Sequence, residues 1–209
     1  MNKHVILLLL ILLTALFANS QPNSGWIIKT SLVDMALGDR TTTSWSPNIV
    51  FETLEKTKIS FQIEAGPILM NKHADKFFID IYKIFGVRIN PSVKRYLGKT
   101  CNSNQGFNLA IDCNTVVTNA TVKYSGAVVK RLVVAPHLNI GYQSISKRNF
   151  VFEVCAGLGP GFVASSSSID KANLGVLTYS RGILYEGGSG VYLSYHFDVK
   201  LGYHISHKP

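Results

Sequence analysis

The sequence predicts an all-β protein, an antiparallel up-and-down transmembrane β-barrel of eight strands, with ten strands as the alternative. Three observations predict it. Apolar and polar residues alternate over long segments, as they do in strands that place one face against lipid. After residue 20 the longest apolar run is Leu132–Pro136, which excludes helical transporters, because their spans need about 20 apolar residues. The 209 residues are 46% hydrophobic and only 16% charged, which excludes a disordered chain.

The first 20 residues predict a secretory signal peptide. Lys3 gives a basic start, Val5–Leu13 form a short apolar core, and cleavage is expected near Ser20, after small residues. An uncleaved anchor helix is the alternative, and the short apolar core disfavours it. Residues 21–209 are therefore expected to form one exported barrel domain.

The strands follow from the alternation, taken in chain order. Two weaker ones come first, near 25–37 and 45–54. Five more and one further plausible strand are predicted at 59–67, 87–97, 132–142, 148–162, 174–185 and 191–205. The last is the clearest, because every second residue in it is apolar or aromatic. Many of these strands are longer than the five or six residues usual in soluble sheets and suit a membrane-spanning strand of about 9–11 residues.

Three longer connections separate the predicted strands. Residues 71–85 are expected to form an exposed loop with a short helix, or to extend two strands, and to be the main extracellular interaction surface. The connections 99–125 and 164–173 would both fall on the periplasmic side of an eight-stranded barrel, where such barrels keep their turns short. An extra hairpin within 106–124 would remove this conflict by giving ten strands.

The polar face of the strands predicts a narrow, filled lumen. Glycines recur on this face beside large residues, as small barrels require. An eight-stranded barrel leaves an interior just wide enough for side chains, and charges buried there must be paired. We therefore expect a structural charge network formed by Glu64, Arg88, Lys94, Glu153, Asp198 and Lys200.

Five segments resemble the small outer-membrane β-barrel proteins common in Bacteroidota, many of which have no known function. They are KISFQIEAG at 58–66, GVRINPSVKRYLG at 86–98, VVAPHLNIGYQ at 133–143, FEVCAGLGPGF at 152–162 and DVKLGYHI at 198–205. Together they cover about half of the chain beyond the leader, in order. The resemblance implies an outer-membrane location with membrane lipid as a partner, and it implies no chemistry.

The last strand is similar to the signal that the barrel-assembly machinery recognises in this class of protein. Lys200, Gly202 and Ile205 match the polar, glycine and hydrophobic positions of that signal. His207 stands where the pattern has another apolar residue, and the chain continues to Pro209. The resemblance implies the assembly machinery as a partner of this strand.

No catalytic, cofactor or metal residue is assigned from the sequence. His137, His196 and His204 lie on polar faces, where convergence would suit a metal or acid–base site, but polar packing of the lumen is the preferred interpretation. Ser194, His196 and Asp198 are alternate residues on one strand, and a hydrolytic triad is recognised by geometry, which one strand does not show.

The cysteines and the basic excess add two expectations. Cys101 and Cys113 can close a disulfide in an oxidising compartment, while Cys155 is expected to be a small packed side chain. The formal net charge is +9, but the basic residues are scattered, so no nucleic-acid partner is predicted. Aromatic residues near strand ends are expected to form interfacial girdles: Trp26, Trp45, Tyr82, Tyr96, Tyr142 and Tyr185.

The expected function is structural, adhesive or envelope-binding, without catalysis or a cofactor, and with an extracellular or periplasmic partner that the sequence does not identify. The alternative is a secreted soluble barrel of lipocalin type that carries an apolar ligand. That alternative needs the apolar face inside and the charged face outside, and the glycines on the polar face argue against it. A barrel enzyme that modifies lipids is a lesser alternative.

Overall fold

The computed structural model describes residues 25–37, 46–54, 58–69, 81–97, 105–122, 128–168 and 188–206. The predicted signal peptide and the strand predicted at 174–185 lie outside these residues. The helix found among the described residues is too short to cross a membrane.

The described chain forms eight antiparallel strands that close into one barrel, which confirms the predicted fold class. The elements are β1 Gly25–Ser31, α1 Leu32–Leu37, β2 Ile49–Leu54, β3 Ile59–Leu69, β4 Ile81–Tyr96, β5 Gly106–Val122, β6 Val128–Ile145, β7 Phe150–Ser167 and β8 Gly188–Ser206. Each strand pairs with the next, and β8 pairs with β1. Ile27 on β1 pairs directly with His204 on β8. When the paired residues are followed from Ile27 through β2 to β7, they lead instead to Ser194 on β8, ten residues earlier in the chain. This stagger tilts the strands.

The two ends of the barrel differ in the length of their connections. At the terminal end, where Gly25 pairs with Ser206, the connections are 55–58, 97–105 and 146–149. The opposite end, the loop end, receives the connections after β1, β3, β5 and β7, which cover 32–48, 70–80, 123–127 and 168–187. Three of these four are longer than any connection at the terminal end.

The predicted long connection at 99–125 is wrong, because 106–122 is one continuous strand, β5. It pairs with β4 and β6 along its length, so it is not an extra hairpin either. Polar residues in its middle, Asp112 to Thr115, obscure its alternation. Counting β5 moves the connection after β7 to the loop end, which removes the conflict over long periplasmic turns. Residues 81–85 are also strand, in β4, and the rest of the predicted 71–85 loop lies outside the described residues.

The side chains alternate between a polar interior and an apolar exterior. On β3 the buried residues are Ser60, Gln62, Glu64 and, near the loop end, Ile68, whereas Phe61 and Ile63 are about half exposed. The same pattern runs around the barrel, with exposed apolar side chains such as Leu138 at 64% and Leu193 at 73%. The largest fully buried side chains include lysine, glutamate and glutamine. Polar and charged side chains therefore occupy much of the interior, together with apolar ones such as Val50 and Val133, while the exterior is mostly apolar.

Candidate functional site

The lumen contains the six charged side chains that the sequence places inside. All of them are at least nine-tenths buried: Glu64, Arg88, Lys94, Glu153, Asp198 and Lys200. The structure does not join them into one network. Lys94 and Glu153 belong to a cluster near the terminal end, and the other four belong to a second cluster beneath α1.

The terminal cluster consists of Lys29, Glu52, Lys94 and Glu153. The Lys29 ammonium contacts the carboxylates of Glu52 and Glu153, and the Lys94 ammonium contacts Glu153 and lies 3.4 Å from Glu52. Two amide oxygens, of Gln62 and Gln143, each accept from Lys29 Nζ at 3.0 Å. The Tyr96 and Ser60 hydroxyls each donate to Glu52 Oε1 at 2.7 Å. Two cations and two anions thus neutralise one another with their hydrogen bonds filled.

The α1 cluster consists of Asp34, Glu64, Arg88, Asp198 and Lys200. Arg88 contacts Asp34 and Glu64, and Lys200 Nζ lies 2.9 Å from Glu64 and 3.5 Å from Asp198. Asp34 enters the lumen because the chain leaves β1 as the short helix α1, whose first turn is capped by the Ser31 hydroxyl. The helix thereby supplies an acid that the strands alone would not bring inside.

Three carboxylates of the α1 cluster are close enough to share a cation. Oxygen atoms of Asp34, Glu64 and Asp198 lie within 4.8 Å of one another. Arg88 and Lys200 already lie against these oxygens and supply the compensating charge. These two cations offset two of the three negative charges, and the cluster keeps a formal charge of −1 when all three acids are ionised.

A third group, the triad, links β5, β6 and β8 through Asp112, His137 and Ser194. Asp112 Oδ1 lies 2.8 Å from His137 Nδ1, and His137 Nε2 lies 2.8 Å from Ser194 Oγ. Because an ionised carboxylate only accepts, the imidazole donates to Asp112 from Nδ1 and can accept the Ser194 hydroxyl proton at Nε2. Asn139 Nδ2 donates to Asp112 Oδ2 at 2.8 Å and fixes the carboxylate from its other side.

Glycines on the inner face of β7 allow the triad to form. His137 and Ser194 lie on β6 and β8, which are separated by β7. A Cβ at Gly159 would lie 1.8 Å from the Pro136 carbonyl oxygen, and one at Gly157 would lie 1.9 Å from Asn139 Oδ1. Because these positions carry no side chain, residues of β6 and β8 meet across the inner surface of β7.

From the sequence, Ser194 was considered only with two residues of its own strand and was assigned no catalytic role. Those residues are His196 and Asp198, whereas the structure brings His137 and Asp112 from two other strands. Their inward positions follow from alternation, but Asp112 lay in the segment expected to be a loop. His196 lies beside the triad, with Nδ1 3.5 Å from Asp112 Oδ2. His204 is buried near the terminal end, far along β8 from Ser194.

The cysteines and aromatic residues also differ from expectation. Cys113 is a free thiol in β5, so the structure does not show the predicted disulfide, and Cys101 lies outside the described residues. Cys155 is buried, as expected of a packed side chain. Tyr96 points into the lumen and not into a girdle. Trp45, Tyr185 and the Tyr82 side chain lie outside what the structure describes.

Exposed aromatic side chains form a partial ring at the terminal end, on β5–β8 and β1. Trp26 and Tyr142 are there, as predicted, and the ring is extended by Phe107, Phe150 and Tyr203. Phe107 packs against Tyr142 with ring centroids 5.2 Å apart, and Phe150 packs against Tyr203 at 5.8 Å.

Known protein families, curated proteins and solved structures give no match to the chain.

Proposed function

We propose that the protein is an outer-membrane β-barrel with a filled polar lumen, which presents its loop end to an extracellular partner in an adhesive or envelope-binding role. The observation that carries the proposal is the inverted distribution of side chains. Large apolar residues cover the outside of every strand, and two clusters of ion pairs lie buried inside. An apolar exterior of this extent is stable against lipid acyl chains and costly in water.

The ends of the barrel support one orientation in the membrane. Outer-membrane barrels have short periplasmic turns and longer extracellular loops. The terminal end, with its short connections, would face the periplasm, and the loop end would face outward. The aromatic ring at the terminal end matches an interfacial girdle. Basic side chains exposed at the same end suit the phosphates of lipid headgroups: Lys58, Arg95, Lys147 and Arg148.

The strand lengths support a surface role for the loop end. Strands β4–β8 contain 16 to 19 residues, whereas a tilted membrane strand needs about 9–11. If the aromatic ring marks the periplasmic interface, the excess length of these strands extends beyond the bilayer at the loop end. β8 would be the strand presented to the assembly machinery, with Lys200 and Gly202 inward and Ile205 outward.

The lipocalin-type alternative receives no comparable support. A carrier of apolar ligands needs an apolar cavity inside the barrel. The interior here contains the buried terminal cluster, whose charges are already paired with one another. An apolar ligand at this position would have to displace these ion pairs.

The proposal is tested by cell fractionation and by gel electrophoresis with and without boiling. We expect the mature chain in the outer-membrane fraction, and we expect a faster-migrating folded band that shifts on boiling. Recovery of the folded protein in a soluble fraction without detergent would contradict the membrane location. The matched measurement on a periplasmic protein of similar mass controls for incomplete separation.

A further inference from the structure

We propose that Ser194 is the nucleophile of a serine esterase centre in the barrel, with His137 as its general base and Asp112 as the acid that orients the imidazole. The substrate class is a carboxylic ester of a long acyl chain, a choice that rests on the proposed membrane location. Both hydrogen bonds of the triad measure 2.8 Å, and they run in the order that this chemistry requires.

The hydrogen bonds of Ser194 differ from those of other serines in the lumen. The Ser31 hydroxyl donates a hydrogen bond to the Asp198 carboxylate, and the Ser60 hydroxyl donates one to the Glu52 carboxylate. Ser194 instead meets an imidazole nitrogen that can take its proton. His137 is held by Asp112, and Asp112 is held by Asn139, so each group is fixed by the next. Packing alone requires no such order.

Within the part of the chain that the structure describes, Ser194 lies in a segment of β8 that pairs with a strand on one side only. Among the described residues, β1 pairs with β8 only from Lys200 to Ser206. The preceding part of β8, which contains Ser194, therefore has β7 on one side and no described strand on the other. Helix α1, which follows β1, packs against β8 and exposes Leu32 and Met35. An acyl chain lying on the apolar exterior can bring its ester group over this side of β8.

The same side of β8 supplies a donor for the oxygen of the ester carbonyl. The N–H of His204 donates to the Asn149 carbonyl on the β7 side, so even-numbered residues of β8 direct their N–H groups toward β7. Odd-numbered residues direct theirs to the opposite side. The N–H of Leu193, which precedes the nucleophile, therefore points to the side of β8 on which no described strand pairs, where it can stabilise a developing oxyanion.

The reaction proceeds in two balanced steps. Ser194 Oγ forms a bond to the ester carbonyl carbon while its proton passes to His137 Nε2, and the alcohol leaves with that proton, giving an acyl-serine. Water then attacks the acyl carbon, His137 takes a proton from the water and returns it to Ser194, and the carboxylic acid leaves. Nothing beyond the ester and water is consumed.

The test is covalent labelling with an alkyl fluorophosphonate, applied to the full mature protein in detergent micelles. Ser194 Oγ would bond to phosphorus, fluoride would leave, and the proton would be released through His137. We expect one adduct, which peptide mass spectrometry of the wild-type protein places on Ser194. Absence of an adduct, or an adduct on another residue, in protein that still shows the folded gel band overturns the proposal.

Variants separate a catalytic role from packing. Ser194→Ala should abolish labelling, and His137→Gln and Asp112→Asn should each slow it by at least about 100-fold. Ser60→Ala, which alters a lumen serine bound to a carboxylate, should label at the wild-type rate. Equal labelling rates for His137→Gln and the wild type would overturn the proposal. The mapped wild-type adduct decides the question even if a triad variant fails to fold.

The substrate source is distinguished by turnover of two lipids in mixed micelles, a phosphatidylethanolamine and an acylated glycolipid, with released fatty acid measured for the wild type and Ser194→Ala. If the wild type releases fatty acid from one of these lipids and Ser194→Ala does not, the result supports the proposal and identifies the source of the ester. The outcomes also separate the two proposals. A soluble protein labelled at Ser194 would remove the membrane location and leave the esterase, and a membrane protein without labelling would do the reverse.

Discussion

Lys29 joins the two acids of the terminal cluster. Its ammonium meets two carboxylates and two amide oxygens, all buried. Taking these charges out of water is costly, and their mutual attraction offsets that cost only while every partner is present. The main effect of the cluster is therefore to specify one arrangement of the side chains in the lumen. It adds less to stability than apolar side chains packed in the same space would add.

Replacing Lys29 by methionine should destabilise the barrel, because Glu52 then loses its nearer cation while remaining buried. We expect the free energy of unfolding to fall by about 3–5 kcal/mol. Urea unfolding in phospholipid vesicles, followed by tryptophan fluorescence, measures this. The double variant Lys29→Met/Glu52→Gln removes both charges and should recover at least half of the loss. A double variant less stable than Lys29→Met would contradict the argument.

At the scale of the element, β7 is the strand whose small residues decide what its neighbours can do. Gly159→Ala would place a Cβ 1.8 Å from the Pro136 carbonyl oxygen, a backbone atom of β6 that gives way less easily than the end of a flexible side chain. We expect the free energy of unfolding to fall by about 1–3 kcal/mol. We also expect a smaller fraction of the unboiled protein in the faster-migrating folded band. Gly141→Ala is the matched control, because its nearest contacts, the Asn108 side chain at 3.0 Å and the Val154 carbonyl oxygen at 3.1 Å, are much less close. Equal losses for the two variants would contradict this account.

The alternation of polar and apolar residues predicted the strands in which it is regular, and it failed where polar or small residues interrupt it. β8 was predicted almost to its ends, because its outward residues are uniformly apolar or aromatic. β5 was assigned to a loop, because Asp112 and Asn114 are polar on the inward side and Cys113 and Thr115 are weakly apolar on the outward side. The lumen charges were predicted by face, but their partners were not, since pairing depends on the stagger of the closed barrel. The alternation within a single strand predicts neither α1 nor the triad, because α1 is a helix and the triad combines residues of three strands.

At the scale of the whole molecule, the proposed membrane location makes the cost of an exposed charge depend on depth. Leu138 lies in the middle of β6 and is 64% exposed, whereas Leu97 follows β4 at the terminal end and is 52% exposed. Leu138→Arg should cost about 2–4 kcal/mol in lipid vesicles, and Leu97→Arg about 0–1 kcal/mol. Both are measured by urea unfolding. Equal costs at the two positions would contradict a bilayer around the barrel.

The filled lumen also determines what the whole barrel does to a membrane. Eight strands leave room only for side chains, and the terminal cluster and the α1 cluster occupy that room with paired charges. The wild-type protein inserted into a planar lipid bilayer should therefore pass no stepwise ion current. A porin added to the same bilayer controls for the sensitivity of the recording, and the heat-dependent gel shift confirms that the inserted protein is folded. Stable ohmic steps from the folded wild-type protein would show a water-filled pathway past Lys29 and Arg88, and the interpretation of these clusters as a packed plug would then be wrong.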